Sequence, residues 1–298
     1  MSEPARRERF AVRPLTLADL PGCLALSQSA HWNQNAADWT LMLNIGQGWG
    51  IEQPDPAGSR SALLVGSIIA LPFERGTAGD FAWLSMVLVL PPFGGRGYAR
   101  LLLETAVGWL RQRALPVILD ATPQGLPVYT RIGMQPHWSF RRYRREAQPP
   151  AGGRTCASRL VTADDWPLVL AADRSAFGAD RQAILRDLAS RQPGLARILI
   201  DAAGLRGYVL GREGREAMQI GPLWARDSAA ATMLLTDAVQ QTAGPVYLDL
   251  ADAHADQLPV LQRAGFVEQR PFTRMTLDTA RPPGDPTHLV LMAGPELG

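Results

Sequence analysis

Residues 93–99 read Phe93-Gly94-Gly95-Arg96-Gly97-Tyr98-Ala99, three glycines within four positions directly ahead of a helical stretch. Glycine lets the backbone approach an anion closely and turn its N–H groups inward. A helix N-terminus adds unsatisfied amides and the positive end of a dipole. A pyrophosphate is the natural guest of such a cradle. Other reactive residue types carry less. Cys23 and Cys156 are too few for a disulfide framework and lack metal-ligand spacing, so two reduced thiols and no metal site are expected. The run Phe140-Arg141-Arg142-Tyr143-Arg144-Arg145 invites a nucleic-acid reading. Arginines at a strand end ahead of a linker are better read as a solvated edge that resists edge-to-edge pairing.

The elements around the glycines fit the anion reading. Trp83–Leu90 is an apolar run of strand length, and Pro91-Pro92 stops it. After the glycines, Ala99, Leu102, Leu103, Ala106 and Leu110 fall on one face of a helix. A second strand follows at Pro116–Asp120.

The chain also repeats itself. Arg13-Pro-Leu-Thr16-Leu-Ala-Asp19 recurs as Arg159-Leu-Val-Thr162-Ala-Asp-Asp165, an offset of 146. Thr16 and Thr162 are plausible N-caps, each with an aspartate three residues on. Ala99–Val107 matches Ala231–Val239, and Arg131-Ile-Gly133 matches Arg263-Ala-Gly265, both at an offset of 132. Val117–Asp120 resembles Val246–Asp249, offset 129. Differing offsets mean loops of different length in two copies of one fold. The expected organisation is a first domain at 11–147, a Pro/Gly-rich linker at 148–154, a second domain at 155–280, and a tail at 281–298 carrying a short strand.

Composition bounds the rest. A chain of 298 residues suits two domains, and 46% apolar with 19% charged residues is an ordinary globular balance. The net charge of +2 argues against nucleic acid as a partner. No apolar run reaches a membrane span, and Met1–Arg9 is polar with no signal-peptide segment behind it, so a cytoplasmic protein without a membrane partner is expected. All 30 basic residues are arginine, as the codons of a GC-rich genome would favour. Nothing in the sequence sets the oligomeric state.

Strand, prolines, then Gly94-x-x-Gly97-x-Ala99 opening a long helix resembles the coenzyme A motif of the GNAT superfamily of N-acetyltransferases. Gly97 and Ala99 match that pattern, while Gly94 stands where the family carries Arg or Gln. Leu126-Pro-Val-Tyr129-Thr-Arg-Ile-Gly-Met134 is similar to the family's Leu-Tyr-x-x-x-Gly-Phe run, with Met134 in place of phenylalanine. The resemblance covers nearly all of residues 11–146. It implies an α+β (α/β) fold of two tandem GNAT-like domains of bacterial type, each a mixed, mostly antiparallel sheet flanked by helices.

The resemblance further implies acetyl-CoA as co-substrate and direct acetyl transfer to a primary amine of a small molecule or peptide. Val87, Leu88 and Val89 would bond the pantetheine arm through their backbone. Gly94, Gly95, Arg96, Gly97, Tyr98 and Ala99 would cradle the pyrophosphate. Tyr129 would protonate the departing thiolate, or else pack beneath the sheet as an ordinary helix tyrosine. Glu74, Asp80 and Asp120 are the candidate general bases. His31, Trp32, Asn33, Trp39 and Trp49 would line the acceptor site or belong to the core.

In the second copy the cradle reads Arg226-Asp227-Ser228-Ala229-Ala230-Ala231, without glycine, and Leu261 replaces Tyr129. Asp227 or Ser228 would cap the helix from within, so this copy is expected to be degenerate. The alternative to an enzyme is a non-catalytic protein that binds acyl-CoA or a metabolite with two degenerate domains.

Overall fold

The computed structural model describes residues 11–54, 62–74, 80–148 and 156–298. Contacts divide the chain into two compact units, one from Met1–Ala70 and Met86–Trp109, the other from Leu71–Ser85 and Leu110–Gly298. Two strands, β3 (Ala62–Phe73) and β4 (Phe81–Val89), contribute residues to both units.

The first unit begins with β1 (Val12–Pro14), α1 (Leu20–Ser29), α2 (Ala36–Ile45) and β2 (Gln47–Pro54). β2 lies antiparallel between β1 and β3. The repeated Arg-x-x-Thr-x-x-Asp motif is a built local structure. Asp19 accepts from the Thr16 N–H at 2.7 Å and pairs with Arg13 at 2.5 Å. In the second copy Asp165 does the same with Thr162 at 2.7 Å and Arg159 at 2.6 Å. The bonded arginine holds both carboxyls below the usual carboxylate range. After β4 the unit continues into α3 (Tyr98–Arg111), whose Trp109 meets Trp49 edge-on with centroids 5.4 Å apart.

The second unit contains β5 (Val117–Ala121), α4 (Leu126–Arg131), β6 (Gln135–Arg145), β7 (Arg159–Leu160), α5 (Trp166–Phe177), α6 (Gln182–Arg191), β8 (Arg197–Asp201) and β9 (Gly204–Arg212). It continues through β10 (Met218–Ala225), α7 (Ser228–Gln240), β11 (Val246–Ala251), α8 (Leu258–Arg263), β12 (Val267–Leu277) and β13 (Leu289–Leu291). Its strands run in the order β5-β12-β6-β11-β13-β10-β9-β8-β7, mostly antiparallel. Leu234, Leu235, Ala238 and Val239 of α7 pack on Leu223, Val246 and Leu248 of this sheet.

The two copies exchange their last strands. β6, from the first copy, pairs with β11 of the second over Val246↔Arg145 to Ala251↔Phe140. β12, from the second copy, pairs with β5 of the first over Thr273↔Ala121 to Leu277↔Val117. β6 and β12 then pair with each other. The join between the copies in sequence is therefore not a boundary in the sheet. Of the expected linker at 148–154, Gln148 is described and donates its N–H to Ala243 O at 2.8 Å; residues 149–154 lie outside the described residues.

This exchange corrects the reading of the arginine run. β6 has a strand on each side, so it is no solvated edge. Arg142 and Arg145 are buried, and Arg142 forms a bidentate pair with Asp249 at 2.8 Å on each arm. Of the four arginines only Arg141 and Arg144 reach solvent, with Glu268 and Glu146 as respective partners. Arg142 and Arg145 are three residues apart and so lie on opposite faces of the strand, Arg142 against Phe272 and Arg145 against Val239 of α7, so β6 is covered on both faces.

Candidate functional site

The prolines that end β4 form one 3-10 turn, Pro91–Phe93, and the glycines follow. Gly95 and Gly97 have φ of +74° and +84°, the left-handed region that a side chain disfavours. A Cβ placed on either would meet nothing within 4 Å, so the turn is open on the face where glycine matters. The first bond closing α3 runs from Leu101 N–H to Gly97 O at 3.0 Å. The amides of Ala99 and Arg100 precede it and have no intrahelical acceptor. Backbone N–H groups in a left-handed turn at a helix start suit a phosphate well.

Within the expected set, three residues play other parts. Gly94 has φ −61° and donates its N–H to Pro91 O at 3.1 Å, so it shapes the turn. Tyr98 has a buried side chain, which leaves only its main chain on the side of the turn. Arg96 donates to Pro92 O at 3.2 Å and lies over the Phe93 ring, 5.1 Å from its centroid.

Strand β4 is irregular where a cofactor arm would meet it. Met86 is a buried non-glycine residue with φ +53°, and the Ser67 hydroxyl donates to its carbonyl at 2.9 Å. Such a conformation persists only where the surroundings enforce it. The Leu90 N–H bonds Val65 O of β3 at 2.8 Å. Alternation along the strand then turns the main-chain groups of Leu88 toward β3 and those of Val87 and Val89 toward the opposite edge. Leu88 is thus a buried strand residue, and Val87 and Val89 are the two with backbone to offer. Near its start β4 runs parallel to β5 at Ala82↔Val117 and Trp83↔Ile118, and the ladder stops there.

Tyr129 sits on α4, half-buried, with its ring against Gly125; a Cβ on Gly125 would come within 2.8 Å of that ring. Its hydroxyl has no hydrogen-bond partner among the described residues. Burial pushes the phenol up to about 12, so it stays protonated and able to donate.

The candidate bases separate clearly. Asp120 is fully buried and bidentate to Arg274, 2.9 Å on each arm, so it is a structural ion pair and not a base open to an amine. Burial raises its pKa against the pull of that arginine. Glu74 and Asp80 are exposed. Among the aromatics, Trp39 is fully buried and donates to Ser27 Oγ at 2.9 Å, and Trp49 is 6% exposed, so both are core. His31, at φ +53°, remains exposed in the loop between α1 and α2, with Trp32 half-buried beside it.

The second copy is built differently at both equivalent places. Asp227 caps α7 by accepting from the Ala230 N–H at 2.8 Å, and Arg206 holds it at 3.0 Å. Arg226 is paired with Asp201 at 2.5 Å. β10 and β11 run parallel over Met218↔Val246 to Ile220↔Leu248. Beyond that ladder β13 is wedged between them, with Leu291 paired to Leu223 on one side and Leu250 on the other. The chain's own strand fills the place that corresponds to the interrupted β4–β5 ladder. The apolar tail specifies a short strand but not this location, since nothing local in Leu289–Leu291 names its neighbours. Leu261, at the tyrosine position, is buried in the core.

Residues 44–134 match the family model described as the Acetyltransferase (GNAT) family, and residues 169–290 match that of an Acetyltransferase (GNAT) domain. The chain belongs to the GNAT superfamily of N-acetyltransferases. The two GNAT domains form a mixed, mostly antiparallel α/β fold flanked by helices. A curated relative, the uncharacterized N-acetyltransferase YitH of Bacillus subtilis, is 25% identical over 189 residues, 63% of this chain and 67% of its own length. A candidate acetyltransferase from Pyrococcus horikoshii superposes with a TM-score of 0.76 at 19% identity, covering 100% of this chain and 99% of that one. A tandem GNAT protein from the clavulanic acid biosynthesis pathway gives a TM-score of 0.60 at 16% identity, over 92% of this chain and 100% of its own. These two likenesses concern the GNAT fold alone. Among the described residues, no helix is long and apolar enough to cross a membrane, and no cluster of His, Cys, Asp or Glu could hold a metal.

Proposed function

We propose that the first GNAT copy transfers acetyl from acetyl-CoA to a primary amine, and that the second copy supports the fold without binding the co-substrate. The observation that carries this reading is the contrast between the two turns. Gly95 and Gly97 leave the first open and left-handed, whereas Asp227 takes up the Ala230 amide of the second with its own carboxylate and sets a negative charge there. The wedged β13 adds a second obstacle in that copy.

In this reading the Gly95–Gly97 turn and the first amides of α3 hold the pyrophosphate, and the edge of β4 at Val87 and Val89 holds the pantetheine arm. Acetyl-CoA supplies a thioester whose carbonyl carbon forms a bond to the neutral amine nitrogen as its bond to sulfur breaks. Tyr129 gives its phenolic proton to the sulfur that leaves, which its raised pKa permits at neutral pH. The proton lost by the amine passes to solvent or to an exposed carboxylate such as Glu74 or Asp80. The loop carrying His31 and Trp32 forms part of the acceptor wall. The family's action on amines and the name of the Bacillus relative support this assignment.

Calorimetry with acetyl-CoA, followed by a thiol-release assay over a panel of primary amines, tests it. One site per chain and amine-dependent thiol release are expected. Binding without thiol release from any amine would favour an acyl-CoA-binding protein instead.

A further inference from the structure

A cavity of about 460 Å³ opens in the second unit between the C-terminal halves of α7 and α8, on the last residue of β6. Its walls are Leu235 and Val239 of α7, Val260 and Leu261 of α8, and two arginines, Arg145 and Arg263. No residue lining it is acidic. It lies at the far end of α7 from Asp227, so it is not the degenerate cofactor turn.

Arg145 is the unusual group. It is 4% exposed and has no carboxylate partner among the described residues. Its Nη2 donates to Thr242 O at 2.7 Å and Thr242 Oγ1 at 2.9 Å and its Nη1 to Val239 O at 3.4 Å, while its Nε is buried with no acceptor. A buried guanidinium without a counter-charge is costly. Desolvation accordingly lowers its pKa. Partial compensation comes from the carbonyl end of α7.

Capping that helix does not account for the residue. The repeat offset of 132 places Leu277 opposite Arg145 and Leu110 opposite Thr242. Both leucines are buried, so the fold closes at this point without a cation. The second arginine, Arg263, is exposed at the cavity's mouth and likewise has no acidic partner among the described residues.

We infer that this cavity binds a small organic carboxylate, its charge met by Arg145 and Arg263 and its apolar body lodged against Val239, Val260 and Leu261. Two guanidinium charges without an acidic partner among the described residues suit a carboxylate, and charge attraction is stronger inside a partly dry cavity. The aliphatic wall favours an acid with a hydrocarbon body over a bare inorganic anion. This site is independent of the one assigned to acetyl-CoA.

The test is calorimetric titration of the full chain with hexanoate, with hexan-1-ol as the neutral isostere and inorganic phosphate as the bare anion. Saturable hexanoate binding, absent for hexan-1-ol and phosphate, is expected. Arg263→Ala, a surface change that leaves the fold intact, should weaken it about tenfold. Ala264→Phe, which fills the cavity, should abolish it while acetyl-CoA affinity stays unchanged. No saturable hexanoate binding, equal binding of hexan-1-ol, binding of phosphate alone, or undiminished affinity in Arg263→Ala would each overturn the inference.

Discussion

Asp120 on β5 and Arg274 on β12 form a buried bidentate pair, and Asp249 on β11 with Arg142 on β6 repeats it. In each pair the aspartate belongs to one copy of the fold and the arginine to the other. The arginines sit on the exchanged strands, so each strand carries a charge that only the opposite copy can neutralise. Arg274 is held further by Trp83 and Trp138, whose ring centroids lie 4.5 and 4.2 Å from its guanidinium carbon. Removing one partner leaves a buried charge uncompensated. Arg274→Met should therefore destabilise the protein by about 3–5 kcal/mol. The double variant Asp120→Leu with Arg274→Met should recover much of that. Chemical denaturation of both checks it, and additive losses in the double variant would show that the pair is not coupled.

The phosphate cradle predicts a selective loss. Gly97→Glu places a negative charge and a side chain in space that is open, at a φ of +84°. The strain costs about 1–2 kcal/mol, which a folded domain can absorb. Acetyl-CoA binding should be lost while the circular dichroism spectrum is kept. Retained affinity in the folded variant would remove the cradle from the site.

Tyr129→Phe should lower turnover about a hundredfold with acetyl-CoA affinity close to wild type, because only the leaving sulfur needs the proton. Equal losses of binding and rate would make the tyrosine structural.

The pH profile gives a separate check. The active form of this phenol is the protonated one, and burial raises its pKa from the usual 10.0 to about 12. The acid is therefore fully present below the ordinary value and is lost only as pH rises through the raised one. Between those two values a wild-type enzyme should show no fall in kcat from phenol ionisation. A descending limb near 10 that Tyr129→Phe abolishes would contradict the burial argument.

Stoichiometry tests the asymmetry of the copies. With Asp227 bonded to the Ala230 amide and Leu291 paired on both sides, the proposed function expects no acetyl-CoA in the second copy. Titration should give one acetyl-CoA per chain, and saturation at two equivalent sites would refute the assignment.

The sequence alone determined the features that are local. The spacing of glycines after a strand and before a helix, the Thr-x-x-Asp caps, and the repeat offsets are written over a few residues each, and short-range backbone geometry follows from them. The cap at the second turn was legible for the same reason, since Asp227 needs only its own helix to bond the Ala230 amide. What the tertiary structure decided is non-local. Asp120 is a strand-end carboxylate by sequence and a buried ion pair in the fold, because its partner lies 154 residues away. Arg142 and Arg145 turn inward because β6 crosses to the other copy and gains a neighbour on each side. Leu289–Leu291 is an apolar triplet whose place between β10 and β11 depends on which sheet edge is left vacant. Strand partners are chosen by the summed burial of the whole sheet, and no window of sequence contains that sum.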